Sequence, residues 1–538
     1  TSISQAIYRD LSATSTEVAE GPQLSFVIRR QRKELLKKFP FSAEDSASLE
    51  KLTLNKFLDV NEHMANFRSL KFPEPTCSIF RAETQFDKIM LRARALMHST
   101  LFDFDEDEFF HHCKHSGGSS IGVPFSDTSI ERKFTFPLSI TKEVVPLFER
   151  YMAFNFQLKE AVNIFNSHRP IGEMYSIVEG SRATTVAKDN TIRRMIAIEP
   201  TANMFLQQGL MSMLYDRMKR VGLNVESLPE EHVNLAWKSS ITSEMATIDF
   251  SSASDCVSIE LLRWLLPPKW FLMVDRVRCK YMSVNGTYTQ LNMASTMGNA
   301  VTFPLETLVF WTIAHACRIS LKPSNTLLVK YEELKYCSVF GDDCILPRSV
   351  APLFMEVTKR IGFIVNDDKS FYGTEQFRES CGGDFLAGYD VRPFYLKGPT
   401  STKLSAIEAW LYIVMNGVLK KYIQYFGTLS YLYEKSFFRL MLNTYSRYNF
   451  RLKIIPEFYP DDAGFKISAD MLRFLRCYSF QVSPVKRTDQ GGYTFHYKRF
   501  VYRVKYRKDA GIRYALWLNR PSASKERPNP FVSVRRIG

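Results

Sequence analysis

Apolar residues along the chain change their spacing several times, and each change marks a different kind of element. Over 86–96 they recur every three or four positions, the spacing of one face of an amphipathic helix. Over 204–221 the pattern returns and ends in Arg217, Lys219 and Arg220 with Gly222 behind them, which predicts a helix closed by basic residues and a glycine. Residues 349–361 and the tyrosine-rich 405–448 read the same way. Residues 26–39 form a basic, helix-like run to which no chemistry attaches. Short apolar runs bounded by turn residues predict strands at 246–250, at 281–289 split by Asn285-Gly286, and at 336–346 split by Gly341-Asp342-Asp343. The Asn-Gly pair is hairpin chemistry, and it explains the Asn-Gly-Thr triplet without a sugar.

The 336–346 hairpin carries the most chemistry. Neighbouring side chains on a strand face opposite ways, so adjacent acids normally diverge. At a hairpin tip glycine permits a turn that crowds both acids into one spot. Crowded carboxylates repel, and a hard divalent cation such as magnesium relieves that repulsion. An exposed Asp-rich turn is the plain alternative, but apolar flanks put these acids at the edge of a core. A third acid, Asp249, ends another apolar strand and is followed by Ser-Ser-Ala-Ser-Asp255. Side by side, the two strands let Asp249 and Asp342 hold two metal ions about 3.5–4 Å apart, the arrangement used for in-line phosphoryl transfer. Asp343 would assist. Lys188, Arg193 and Arg194 form a cationic ribbon suited to triphosphate oxygens. Asp255 also fits the cap of a helix over 256–266. His111-His112-Cys113-Lys114-His115 raises zinc, but structural zinc draws on two separated ligand pairs and no second cluster is present. The Gly/Ser stretch 116–122 reads as a flexible loop with no Walker pattern.

In chain order, Asp249-Phe-Ser-Ser-Ala-Ser-Asp255, Ser295-Thr296-Met297-Gly298-Asn299 and Phe340-Gly341-Asp342-Asp343 resemble the palm motifs of RNA-dependent RNA polymerases. With Phe377-Arg378-Glu379-Ser380-Cys381-Gly382 added, the wording is similar to the catalytic (beta) subunits of positive-strand RNA bacteriophage replicases, over roughly 110–400. The resemblance implies an α+β, right-hand fold of fingers, palm and thumb, with an antiparallel palm sheet backed by helices. It divides the chain into a helical region bridging fingers and thumb (1–95), fingers (96–200), palm with inserted fingers segments (201–400), a helical thumb (401–480) and a basic, β-rich tail (481–538). It implies an RNA-directed RNA polymerase that copies a viral RNA genome with two magnesium ions, manganese being able to substitute. Asp249, Asp342 and Asp343 would be the metal ligands, and Lys369 the proton donor to leaving pyrophosphate. Lys188, Arg193 and Arg194 would meet the triphosphate. Ser295, Gly298 and Asn299 would line the nucleotide, and Asp255 would read the ribose 2′-hydroxyl with support from Asn299. The 116–122 stretch is similar to a fingers loop near where template and nucleotide arrive, and 377–395 to a hairpin gripping the primer strand. Asp367-Asp368 falls where the family has a turn. Implied partners are RNA template and product, ribonucleoside triphosphates, host elongation factors Tu and Ts and a ribosomal protein, in the cytoplasm of the bacterial host. A reverse transcriptase shares the paired acids and two metals, yet generally carries an aromatic steric gate near 254–255, where this chain has Ser-Asp. A non-catalytic RNA-binding protein does not explain three ordered acids.

Composition sharpens this only in part. At 538 residues, 45% hydrophobic and 24% charged, the chain matches an ordinary soluble globular protein of three or four domain-sized units. Its net charge of +15 is uneven: residues 486–538 carry 14 Lys/Arg against 3 Asp/Glu. A basic tail on a near-neutral body points to a polyanion, RNA first. Basic residues alternating with aromatics over 493–507 suit a single-stranded nucleic-acid surface, or equally a thumb-packed hairpin. Nine scattered cysteines without a Cys-x-x-Cys pair argue for reduced thiols. No secretory leader is expected. The most apolar window, 300–317, is broken by Pro304, Glu306 and His315 and is too short to span a bilayer.

Overall fold

That most apolar window becomes the pillar of the molecule. In the computed structural model it is the helix Thr302–Ser320, in which every residue except Phe303 and Ser320 is buried. A helix apolar on all sides belongs inside a core, and the helices Gln85–Leu101 and Thr201–Arg220 pack against it. Gln85–Leu101 begins in a reciprocal cap: Thr84 Oγ1 accepts from Asp87 N–H while the Asp87 carboxylate accepts from Thr84 N–H. Among the described residues no helix is long and apolar enough to cross a membrane. The structure describes residues 2–17, 22–40, 43–167, 173–322, 331–426, 435–448, 450, 452–456, 459–466, 486–487, 493–494, 503–505, 511–518 and 533–535.

The central helix backs an antiparallel three-stranded sheet. Asp343–Pro347 lies in the middle, between Met245–Ile248 and Ser338–Phe340. Phe250–Ser251 pairs with Ile364–Val365 just beyond it. A second, four-stranded sheet runs in the order Arg193–Ile198, Ser181–Ala187, Tyr281–Val284, Thr287–Gln290. Its last hairpin turns at Asn285 and Gly286, both at positive φ (51° and 87°), as the Asn-Gly pair predicts. Phe377–Ser380, Gly383–Leu386 and Tyr389–Asp390 form a third antiparallel unit. The architecture is α+β with the expected antiparallel sheet backed by helices. One element differs: the helix placed over 256–266 covers only Ile259–Leu265, and its cap is Ser258, whose Oγ accepts from Leu261 N–H at 3.1 Å. Asp255 ends a short 3-10 turn instead. It does not cap the helix.

Apolar side chains gather into two cores. The larger runs from Leu54 to Ala515 and encloses the central helix. The smaller joins Ile7, Leu11, Ile28 and Leu35 of the first two helices (Ser2–Glu17 and Pro22–Glu34) to Leu411, Tyr422, Phe437 and Tyr445 of Leu404–Phe426 and Ser436–Arg447. Asp10 fixes this union by accepting from Tyr422 Oη and from the backbone N–H groups of Ser436 and Phe437, at 2.7–2.9 Å. In the tail, short strand pairs join Lys486–Arg487 to Tyr493–Thr494 and Arg503–Lys505 to Ser533–Arg535. Between the two strands of the second pair stands a helix that the pattern did not predict, Gly511–Leu518. It packs on Phe156–Asn166, and Arg513 Nε donates to the buried Glu131 at 2.6 Å. Phe495, Tyr497, Val501 and Arg507 of the alternating run lie outside the described residues.

Candidate active site

Phe340 pairs with Asp343, leaving Gly341-Asp342 as a two-residue hairpin loop. Gly341 has φ +63°, the glycine-first pattern of a type II′ turn. Its N–H donates to Thr307 Oγ1 at 3.0 Å, and a β-carbon there would lie 2.8 Å from the Phe303 ring. Cys344 pairs with Ile248, so one further step of the register sets Asp343 opposite Asp249. Asp249 is held on several sides. Its Oδ2 accepts from Asn366 Nδ2 at 2.7 Å, its N–H donates to Ser370 Oγ, and its carbonyl accepts from Asn366 N–H. Asp343 Oδ2 accepts from the N–H and thiol of Cys381, at 3.3 and 3.5 Å. Asp342 stands exposed at the tip.

The three acids feel one another. Burial first, then the Asp342 charge, pushes Asp343 up to about 7. Burial also raises Asp249, with Lys369 opposing and Asp342 adding. Lys188 sits in the turn between Ser181–Ala187 and Arg193–Ile198. Although its tip is exposed, surrounding protein lowers its pKa, as do Arg194 and Lys369, while Asp249 and Asp342 oppose the shift. Lys188, Arg194 and Lys369 therefore share one field with the acids. Arg193 does not join them. Successive residues on a strand face opposite ways, and Arg193 donates to Thr185 Oγ1, the Thr185 carbonyl and Ser46 Oγ at 2.8–3.0 Å. It ties the hairpin to the helix Ala43–Ala65.

Asp255 Oδ1 is buried without a hydrogen-bond partner, and burial pushes this carboxyl up to about 7 against the Met297 amide and Lys56. Ser295 Oγ is likewise buried and unpartnered. Gly298, at φ +115°, lies against the strand Arg193–Ile198: Ala197 N–H donates to Met297 O at 2.7 Å, and a side chain at 298 would collide with the Ala197 carbonyl. The following helix begins at Thr302. Asn299 is buried in the intervening turn, where its Oδ1 accepts from Val301 N–H at 3.0 Å.

A cavity of about 860 Å³ opens beside this group. Lys188, Arg194 and Lys369 line it together with Arg29, Lys33, Lys37, Lys38 and Arg392. The run 26–39, which periodicity left without chemistry, thus supplies much of a cationic wall. Asn190 N–H donates to the Lys37 carbonyl at 2.5 Å, and Arg30 pairs with the buried Asp384 at 2.6 Å, so the wall is fastened on both sides. Its clustered arginines and lysines were the available signal; nothing local showed what they would face. The His/Cys group lies elsewhere. Cys113 is buried against Gly209, and His115 packs 4.8 Å from the rings of Phe134 and Phe205.

Three carboxylates sharing one field, two of them with raised pKa values, suit a hard divalent cation. Among the described residues no three His, Cys, Asp or Glu side chains are already gathered into a metal cage. Magnesium commonly binds through one or two carboxylates plus substrate phosphates and waters rather than in an all-protein cage, so an open acidic hairpin fits it.

The family described as "RNA replicase, beta-chain" matches residues 4–520, well beyond the stretch 110–400 that carries the motifs. The RNA-directed RNA polymerase beta chain of Enterobacteria phage fr is 30% identical, over 77% of this chain and 74% of its own length. That of Escherichia phage MS2 is 31% identical over 74% and 70%. The RNA-directed RNA polymerase subunit beta of Escherichia virus Qbeta is 34% identical over 53% and 45%. Among solved structures, an RNA-dependent RNA polymerase of a human picorbirnavirus aligns over 82% of this chain and 84% of its own, at 13% identity and a TM-score of 0.45. The class is that of the RNA-directed RNA polymerases. Within it, this chain belongs to the RNA replicase beta-chain family.

Proposed function

We propose that this RNA-directed RNA polymerase transfers nucleotides to a growing RNA strand at Asp249, Asp342 and Asp343, using two magnesium ions, and replicates a positive-strand RNA genome. The observation that carries the reading is the meeting of these three acids with Lys188, Arg194 and Lys369 at the edge of a cationic cavity. Asp249 and Asp342 would hold the ions, with Asp343 assisting and manganese able to replace magnesium. Bound divalent metal eases loss of the primer 3′-hydroxyl proton and neutralises charge on the triphosphate and leaving pyrophosphate. Lys188 and Arg194 orient the triphosphate, and Lys369, whose charge acts on Asp249, gives a proton to pyrophosphate. Asp255, with its unpartnered Oδ1, takes the ribose hydroxyl beside Ser295 and Asn299. The basic wall from 29–38 draws nucleotides into the cavity. The resemblance of the motifs carries the division into fingers, palm and thumb near 95, 200, 400 and 480. On the resemblance of its motifs, host elongation factors Tu and Ts and a ribosomal protein are its partners in the bacterial cytoplasm.

The test is incorporation of labelled ribo- and deoxyribonucleotides on RNA and DNA templates with magnesium, with and without the host factors. Ribonucleotide product on RNA is expected. Asp249→Asn or Asp342→Asn should each reduce it by at least roughly 10²–10³-fold, the scale of a lost transition-state contact, with thermal unfolding little changed. Near-normal activity in either variant would remove that acid from the mechanism, and deoxyribonucleotide product would move the chain towards reverse transcription.

A further inference from the structure

One face of the central helix supports the candidate site from beneath. Phe303 covers Gly341, Thr307 Oγ1 accepts the Gly341 N–H, and Phe310 stacks on Phe250 with ring centroids 4.4 Å apart. Glu306, on the same face by its three- and four-residue spacing, accepts from the Ser254 hydroxyl through Oε2 at 3.3 Å. The first three contacts are ordinary packing and turn support. Glu306 is different, because a carboxyl only 2% exposed on a buried stretch of helix is costly unless its oxygens are satisfied. Its Oε1 is buried and unpartnered, as is Asp255 Oδ1, one residue beyond Ser254. Burial, reinforced by Asp342 and Asp255, raises the Glu306 carboxyl well above its ordinary range. The loop it touches is also strained. Ser252 has φ +54°, a left-handed conformation that persists in a non-glycine residue only when neighbours impose it.

We infer that Glu306 is a positioning residue for sugar selection: through Ser254 it fixes the loop 252–255 so that Asp255 meets the ribose of the incoming nucleotide. It does so without touching substrate. The inference rests on Asp255 being the ribose contact. An apolar residue would fill the same space at lower cost; the carboxyl adds a polar link from the helix to that loop.

The test compares kcat/KM for matched ribo- and deoxyribonucleoside triphosphates on an RNA template, using the full chain, four single variants and two double variants. Glu306→Ala and Ser254→Ala should each lower the ribo-over-deoxyribo ratio by roughly tenfold, the equivalent of one hydrogen bond. The loss should fall mainly on KM for the ribonucleotide. Glu306→Gln, which still accepts from Ser254, should keep the ratio. In an Asp255→Ala background neither change should lower it further, because residues acting through one another are not additive. If Glu306→Ala and Ser254→Ala cut kcat equally for both sugars, Glu306 is scaffold and the inference falls. Should Glu306→Ala fail to give a cooperative melt, Ser254→Ala decides alone. An unchanged ratio in Asp255→Ala would instead overturn the ribose reading itself.

Discussion

At the scale of single residues, the site depends on positions where only one side chain fits. Gly341 needs a positive φ and has the Phe303 ring against it. Gly341→Ala should cost about 1–2 kcal/mol for the backbone alone, more if Phe303 cannot move. It should also reduce incorporation sharply, because the turn aims Asp342 and Asp343; unaltered melting and activity together would show the loop to be pliable. The motif made Gly341 legible. Asp255 was legible as an acid but ambiguous in use, since a carboxyl just ahead of an apolar helical run suits a cap as well as a ligand contact. The backbone removes only the cap, because the helix starts later, at Ile259, with Ser258 as its cap. Arg193 and Arg194 illustrate the same limit, because adjacent cations look alike until the strand sends them to opposite faces.

At the scale of elements, the sheet, the strand Phe377–Ser380 and the helix Leu228–Thr242 are joined by His232. The fully buried ring lies 3.0 Å from Ser380 Oγ through Nδ1 and 2.9 Å from Ser338 Oγ through Nε2. Burial lowers its pKa to about 4 from the ordinary 6.5. A histidine kept neutral in the fold takes up more protons when unfolded, so stability is lost as pH falls through 6.5 towards 4. The full loss is roughly 3 kcal/mol. The buried acids, with raised pKa values, act in the opposite direction over 4–7, so the informative quantity is a difference. His232→Gln should melt lower at pH 7 yet lose less on acidification than the parent, and parallel curves would dismiss His232 as the sensitive joint. Periodicity predicted helices over 86–96, 204–221 and 349–361, and they form as Gln85–Leu101, Thr201–Arg220 and Ala351–Arg360. It missed Gly511–Leu518, a short segment that packs on Phe156–Asn166.

Across the whole molecule, segments far apart in sequence build one chamber. The first two helices share a core with Leu404–Phe426 and Ser436–Arg447, and that union sets Lys37 and Lys38 across from Lys188 and Arg194. Lys38 also lies 4.2 Å above the Tyr395 ring. Lys37→Ala combined with Lys38→Ala should raise KM for all four nucleotides several-fold at low salt. The effect should shrink near 0.15 M salt, where the screening length is about 8 Å. A kcat defect with unchanged KM would assign the wall to another task.

The sequence by itself determined the acids, the turn that exposes them, the order of the motifs and the alternation of helix and strand. Each of these rests on local rules: glycine at positive φ, apolar spacing, and carboxylates that demand a cation. Tertiary structure alone decided which cations face the acids, that Arg193 ties down a hairpin, that Ser258 takes the cap, and that Glu306 lies under Ser254. The Ser258 cap apart, which is a contact three positions away, those outcomes depend on contacts between residues tens to hundreds of positions apart, and no local pattern encodes which surfaces the cores will bring together.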